Sequence, residues 1–321
     1  MRSFEELSKE FIAKFNGRHF PASPASLYEP AEYFLRLGGK RIRPVICLMG
    51  NELFDEIIQD TYSLAIAIEL FHNFTLIHDD IMDKAPIRRG MATVHEKYNE
   101  PTALLSGDVM LVVAYNYINK IRSPQIHQVI HLFNKTAMQV CEGQQMDMDY
   151  EKISELSLSD YLQMIELKTS VLLAASLQMG AILGGAGEGN QKHLYEFGKN
   201  LGLAFQIQDD YLDAFGDPAK FGKQIGGDIL SNKKTFLLVK AMETATSPQK
   251  KEMIELTRSN SPDKVKRMLS IFKACGVDEA AKILKEKYIE SAYQHLEDIL
   301  VLSKRKDPLK QLAQMLVHRE Y

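Results

Sequence analysis

The sequence has no tryptophan and only three cysteines, Cys47, Cys141 and Cys275, in 321 residues. The cysteines are far apart and form no CxxC pair, so neither a disulfide framework nor a thiolate metal site can be built from them; reduced thiols in a cytoplasmic protein are expected. A basic excess is also missing. Lysine and arginine number 39 against 42 aspartates and glutamates, for a net charge of -3, which excludes binding nucleic acid through a broadly basic surface. No Pro/Ser/Gly-rich linker, low-complexity tract or repeat of fixed period marks a seam, so residues 1–321 are expected to form a single domain. The start, MRSFEELSKEF, lacks the apolar stretch of a secretory signal. The oiliest segment, VLLAASLQMGAILGGAG from Val171, is too short and too interrupted to cross a bilayer, so no integral membrane segment is expected.

Alternating strand-type runs with Asn-Gly turns are missing too, and apolar residues recur at helical spacing almost everywhere, as in Leu64, Ile68, Phe71, Thr75, Ile77 and Ile81. The chain reads as all-α: a helical bundle around a central apolar cavity. The spacing predicts helices over 4–16, 26–37, 41–55, 60–83, 101–120, 125–149, 159–184, 190–215, 231–245, 249–258, 262–274, 277–302 and 307–318. Ser157 and Asp160 before an apolar run predict a helix start, and Gly276 after Cys275 a helix end. Stretches that are apolar on most of their circumference, 164–184 and 201–212, belong at the centre of the bundle.

What is present is acid in an unusual place. In HDDIMDKAPIRRG, Asp79, Asp80 and Asp83 close an oily helix at i, i+1 and i+4, where they repel one another and oppose the helix dipole unless a cation is near. FQIQDDYLDAFGD repeats the spacing with Asp209, Asp210 and Asp213. All these ligands are oxygen, and no histidine or cysteine cluster has zinc spacing, so the implied ion is hard: Mg²⁺, with Mn²⁺ as a substitute. Magnesium held by a few carboxylates completes its shell with water and phosphate, and a diphosphate substrate follows. Basic residues complete the pattern. Lys40, Arg41 and Arg43 occupy GGKRIRP, Arg88 and Arg89 follow the first acidic cluster, and Lys223, Lys233 and Lys234 trail the second. They read as two phosphate pockets, one reached through metal and one held by side chains.

The order GGKRIRP, HNFTLIHDDIMDKAPIRRG, GQQMD, ELKTS and FQIQDDYLDAFGDPAKFGKQIGGDILSNKKT resembles the trans-type (all-E) isoprenyl diphosphate synthases over nearly the whole chain. The resemblance implies the isoprenoid synthase fold, usually a homodimer, and condensation of isopentenyl diphosphate with allylic diphosphates (dimethylallyl, geranyl, farnesyl) by ionisation, condensation and elimination. It implies that Asp79, Asp80, Asp83, Asp209 and Asp210 hold Mg²⁺ against the allylic diphosphate, with Asp213 completing the second motif. Arg88, Lys168 and Lys223 would grip that diphosphate, assisted by Thr169 and Gln206. Lys40, Arg43, His72 and Arg89 would hold isopentenyl diphosphate without metal, Lys233 would lie near the diphosphate, and Asp228 would meet a metal-bound water. Two departures are local: Ser170 in ELKTS stands where many members have glycine, and one extra residue lies between Lys223 and Asp228.

Product length is read from the helix that ends in Asp79. Phe74 lies about 7.5 Å and Phe71 about 12 Å before it along the axis, and Thr75, four residues before Asp79, is nearer to it than either ring. In the family, an aromatic at the Phe74 position followed by a small residue resembles geranylgeranyl-type enzymes. Twenty carbons are therefore expected, with Phe71 as the floor. On a helical wheel Phe71 and Thr75 lie nearer the Asp79 face than Phe74 does, which keeps a fifteen-carbon, farnesyl-type product open. A terpene cyclase and a non-catalytic subunit of a heteromeric synthase are more distant readings, disfavoured by the DDYLD second motif and by two intact aspartate trios.

Overall fold

The structure is a computed structural model and describes residues 1–153, 155–217, 225–259 and 261–317. The expected all-α class is what it shows. In chain order the helices are α1 (Phe4–Phe15), α2 (Ala25–Arg36), α3 (Ile42–Glu52), α4 (Gln59–Met82), α5 (Val94–Lys97), α6 (Glu100–Ile118), α7 (Ile126–Tyr150) and α8 (Leu158–Ile165). A π-helical segment, Glu166–Ser170, leads into α9 (Val171–Leu183). There follow α10 (Glu188–Phe215), α11 (Gly227–Leu230), α12 (Phe236–Thr244), α13 (Ser247–Thr257), α14 (Lys264–Ala274), α15 (Val277–Glu297) and α16 (Ser303–Val317).

The chain forms two compact units, one of residues 1–134, 175–194 and 301–308, the other of 135–174, 195–300 and the remainder from 309. In the first, α4 is buried on every face from Thr61 to Phe71, which explains why its sequence has no polar stripe. It packs against α3 and α6, while α1 lies on α3 and α2 on α6. The core of the second unit gathers Tyr161, Met164 and Ile165 of α8, Leu203 and Ile207 of α10, Phe236 to Val239 of α12, Met253 of α13 and Phe272 of α14.

Local chemistry sets the ends. Ser157 accepts a hydrogen bond from the Asp160 N–H and caps α8 as its sequence predicted. Three expectations are corrected. The helix expected over 231–245 starts only at Phe236, because Asn232 adopts a left-handed φ of 57° and Thr235 caps the new start. The helix expected to reach 302 ends at Glu297, leaving Leu300 and Leu302 exposed. An antiparallel hairpin, β1 (Ile87–Arg88) with β2 (Met91–Ala92), turns through Arg89 and Gly90, both at positive φ, where no strand was expected. The stretch Leu158–Leu183 is long and apolar enough to cross a membrane by length and composition, but 72% of its apolar window is buried, so it is core.

Candidate active site

GGKRIRP folds as a loop into the start of α3. Gly38 and Gly39 have φ of 78° and 142°, and Arg41, at φ 49°, precedes the first helical residue. A Cβ on Gly39 would lie 2.9 Å from Arg89 Nη2, so glycine is what admits that guanidinium, which donates to the Gly38 carbonyl. The loop, α4 and the hairpin turn enclose a cavity of about 360 Å³ lined by Gly39, Lys40, Arg41, Ile42, Arg43, Glu69, His72 and Arg89. All four side chains expected to hold isopentenyl diphosphate directly, Lys40, Arg43, His72 and Arg89, therefore line one cavity. Arg43 Nη1 lies 3.1 Å from His72 Nε2. A guanidinium can only donate, so Nε2 accepts and the imidazole is neutral, with its proton on Nδ1. Burial, and then the charges of Arg43, Arg89, Arg88 and Arg41, hold His72 well below its ordinary value. Burial also brings Arg43 down to about 10, opposed by Glu69. Arg43 Nε is buried with no hydrogen-bond partner among the described residues, a donor prepared for an anion.

Sequence reasoning passed over Glu69. It is buried on α4, pairs with the buried Arg41, and accepts from Asn73 Nδ2 at 2.8 Å. Arg41 also donates to the Leu35 carbonyl at 2.8 Å and stacks over the Phe15 ring. The available signal was a single acid inside an otherwise apolar run, IAIELF.

Asp79, Asp80 and Asp83 close α4. Asp83 is exposed at the C-cap, while Asp80 is only 1% exposed. Arg88 Nε donates to both Asp80 oxygens at 2.7 and 2.8 Å, and Nη2 lies 2.7 Å from Asp80 and 3.7 Å from Asp79. Burial raises the Asp80 carboxyl, and Arg88 opposes the rise. The hairpin thus sends adjacent arginines to different duties, Arg88 to the acids and Arg89 to the basic cavity.

In the second unit Asp210 of α10 is likewise the buried member of its trio, 4% exposed. Tyr161 Oη donates to its Oδ2 at 2.5 Å, the Phe236 N–H to the same oxygen at 2.7 Å, and Gln206 Nε2 to Oδ1 at 3.0 Å. These donors pull the carboxyl down, but burial dominates and raises it to about 7. Asp213 Oδ2 accepts the Asp228 N–H at 3.0 Å, and its carbonyl accepts the Gly226 N–H at 2.7 Å, so it shapes the turn into α11. Asp209 is partly buried, Lys233 exposed and Thr169 partly buried. Lys168 lies in the π-helical segment and reaches Asp147 of GQQMD at 2.5 Å. A Cβ on Gly143 would fall 2.3 Å from the Lys168 nitrogen, so that glycine lets α7 pass close to the segment. Lys223 lies outside the described residues. Lys234 lines a different cavity of the second unit. The extra residue expected before Asp228 falls beside that undescribed stretch. Ser170 is fully buried, its Oγ has no partner among the described residues, and a Cβ on Gly202 would be 2.8 Å from it. Oxygen-only donors that include a buried carboxylate in each motif suit a hard divalent cation.

Phe71 is 1% exposed, with ring centroids 5.7 Å from Phe74 and 5.3 Å from Phe133 of α7. Phe74 meets His78 at 4.7 Å, and Thr75 Oγ1 donates to the His72 carbonyl at 2.8 Å. Phe133, which braces Phe71, had no signal in the α4 sequence.

The sequence description of polyprenyl synthetases matches residues 24–274. The chain belongs to that family. It is 40% identical over 250 residues, 77% of this chain and 76% of the other, to the short chain isoprenyl diphosphate synthase of Methanocaldococcus jannaschii. A crystal structure of a geranylgeranyl pyrophosphate synthase superposes over 100% of both chains, at 40% identity and a TM-score of 0.93. The polyprenyl synthase of Caulobacter crescentus, solved with calcium and isoprenyl diphosphate, covers 99% of this chain and 97% of its own, at 26% identity and a TM-score of 0.89. The fold is therefore the isoprenoid synthase fold, and the chain is a short-chain isoprenyl diphosphate synthase, a prenyltransferase.

Proposed function

We propose that the enzyme condenses isopentenyl diphosphate with dimethylallyl, geranyl and farnesyl diphosphates and releases geranylgeranyl diphosphate. The observation that carries the substrate assignment is the cavity in which Lys40, Arg43, His72 and Arg89 gather around one internal carboxylate, a place for a diphosphate bound without metal. The similarity to a geranylgeranyl pyrophosphate synthase supports twenty carbons, as does the small Thr75 beside Phe74.

Asp79, Asp80 and Asp83, and Asp209, Asp210 and Asp213, are proposed to hold Mg²⁺, or Mn²⁺ in its place; the buried, oxygen-only donor sets support this. When bound, the divalent ion supplies positive charge to the departing diphosphate. Arg88, Lys168, Thr169, Gln206, Lys223 and Lys233 are the proposed partners of the allylic diphosphate. Arg43 and His72 orient isopentenyl diphosphate so that its double bond meets the allylic carbon, and apolar walls keep water from the cation. The released diphosphate takes the proton lost at the end, so no protein base is assigned.

The chain is further proposed to act as a single catalytic domain and as a homodimer in the cytoplasm. Helices α7, α9, α10 and α16 contribute residues to both compact units. Leu104, Leu105 and Val112 of α6 are exposed, which supports the dimer, and all three cysteines are free.

The buried position of Phe71 favours a second reading, a fifteen-carbon product limited by that ring. Incubation with each allylic starter, isopentenyl diphosphate and Mg²⁺, followed by product mass measurement, separates the two. Phe71→Ala should lengthen the product and Thr75→Phe should shorten it; unchanged lengths in both would remove α4 as the ruler. Turnover undiminished after exhaustive chelation would remove the metal.

A further inference from the structure

The second unit holds a cavity of about 210 Å³ that shares no residue with the candidate active site. Its floor is apolar: Leu238, Val239 and Met242 of α12 with Met253 of α13. Its rim is charged, with Lys152, Lys234 and Arg258 against the one carboxylate of Glu151. None of these four side chains makes an ion pair or hydrogen bond with any described residue. Lys234 is the telling member. It is half-buried, burial lowers its affinity for the proton, and among the described residues no acid, Glu151 on the same rim included, offsets the loss of water. A desolvated ammonium without a counter-charge is costly, and a ligand anion would relieve it.

We propose that this cavity is an effector site for a small anionic amphiphile, a phosphate- or carboxylate-headed chain whose tail, compared with cavities of about 150 Å³ that take benzene, has roughly six to eight carbons. The headgroup meets Lys234, Lys152 and Arg258, and the tail lies on Met242 and Met253. The site is wired to the second aspartate motif by three consecutive residues. Lys234 precedes Thr235, which caps α12, and Phe236 follows, whose N–H holds Asp210. An occupant that shifts the start of α12 therefore moves a donor to that carboxylate.

Octyl phosphate, octanoate and inorganic phosphate are titrated calorimetrically into the whole protein in chelator, a measurement that needs no turnover and so stands apart from the synthase reading. One of the two eight-carbon probes should bind, identifying the headgroup, with inorganic phosphate far weaker. Lys234→Met, Arg258→Gln and the cavity-filling Met242→Trp should each weaken binding about tenfold or more. Hydrogen exchange should slow over 236–244. With Mg²⁺ present, the bound probe should shift the KM for farnesyl diphosphate about fivefold or more in the parent protein and not in Arg258→Gln. Affinity unchanged in all three variants, or loss of binding in Arg43→Gln, would overturn the site. Binding with no kinetic change would overturn the effector role.

Discussion

Two stretches of α4 handle anions in opposite ways. Around His72 the helix faces a cavity of guanidiniums and lysine; two turns on, about 10 Å along the axis, it ends in carboxylates. Each region contains one charge of the other sign. Glu69 sits among the cations and pairs with Arg41, while Arg88 sits among the acids and pairs with Asp80. Neither region is thus left with all its charge unpaired before ligand arrives. On the proposed function, a diphosphate would bind the first directly but the second only through divalent cations. One helix would in this way tell apart two substrates that share a headgroup.

Four experiments break or sharpen this contrast. Asp80→Asn, which leaves the shape of the acid end and removes its buried charge, should lower kcat by about 10²–10³-fold, measured by product formation across a Mg²⁺ titration. A near-normal rate would show that the acid end does not need that charge. Glu69→Gln should leave Arg41 buried without its partner and cost about 3–5 kcal/mol in denaturant unfolding. Arg43→Gln should raise the KM for isopentenyl diphosphate about 10–100-fold with unchanged Mg²⁺ dependence; an equal rise for the allylic substrate would merge the two regions.

The smallest effect concerns pH. The folded state holds His72 well below 6.5. As pH falls below about 6.5 the unfolded chain takes up the proton first, so stability is complete above that value and declines toward the lower folded one. His72→Gln keeps an acceptor for Arg43 and should flatten the fall in melting temperature between about pH 7 and 5; an unchanged slope would place the titration elsewhere.

The acid motifs and the basic set were legible because each is a local charge pattern against an apolar background, and the cavity does collect Lys40, Arg43, His72 and Arg89. Glu69 was harder to read, since one acid in a helix looks like a surface residue until the helix is known to be buried on all sides. Tyr161 lies far from Asp210 in sequence and had no signal, because the contact exists only once α8, α10 and α12 are packed. The break before α12 was hidden by Lys233 and Lys234, good helix formers that directly follow the left-handed Asn232. The hairpin strands are two residues each, too short for any periodicity to show.

That hairpin has a genetic consequence. Surface loops ordinarily accept added or deleted residues. Here the register Arg88 to Met91 leaves only Arg89 and Gly90 to make the turn, and a one-residue slip would exchange the directions of its side chains. Length variation in this short connection should therefore be purged wherever the chain is under selection, even where substitution is tolerated.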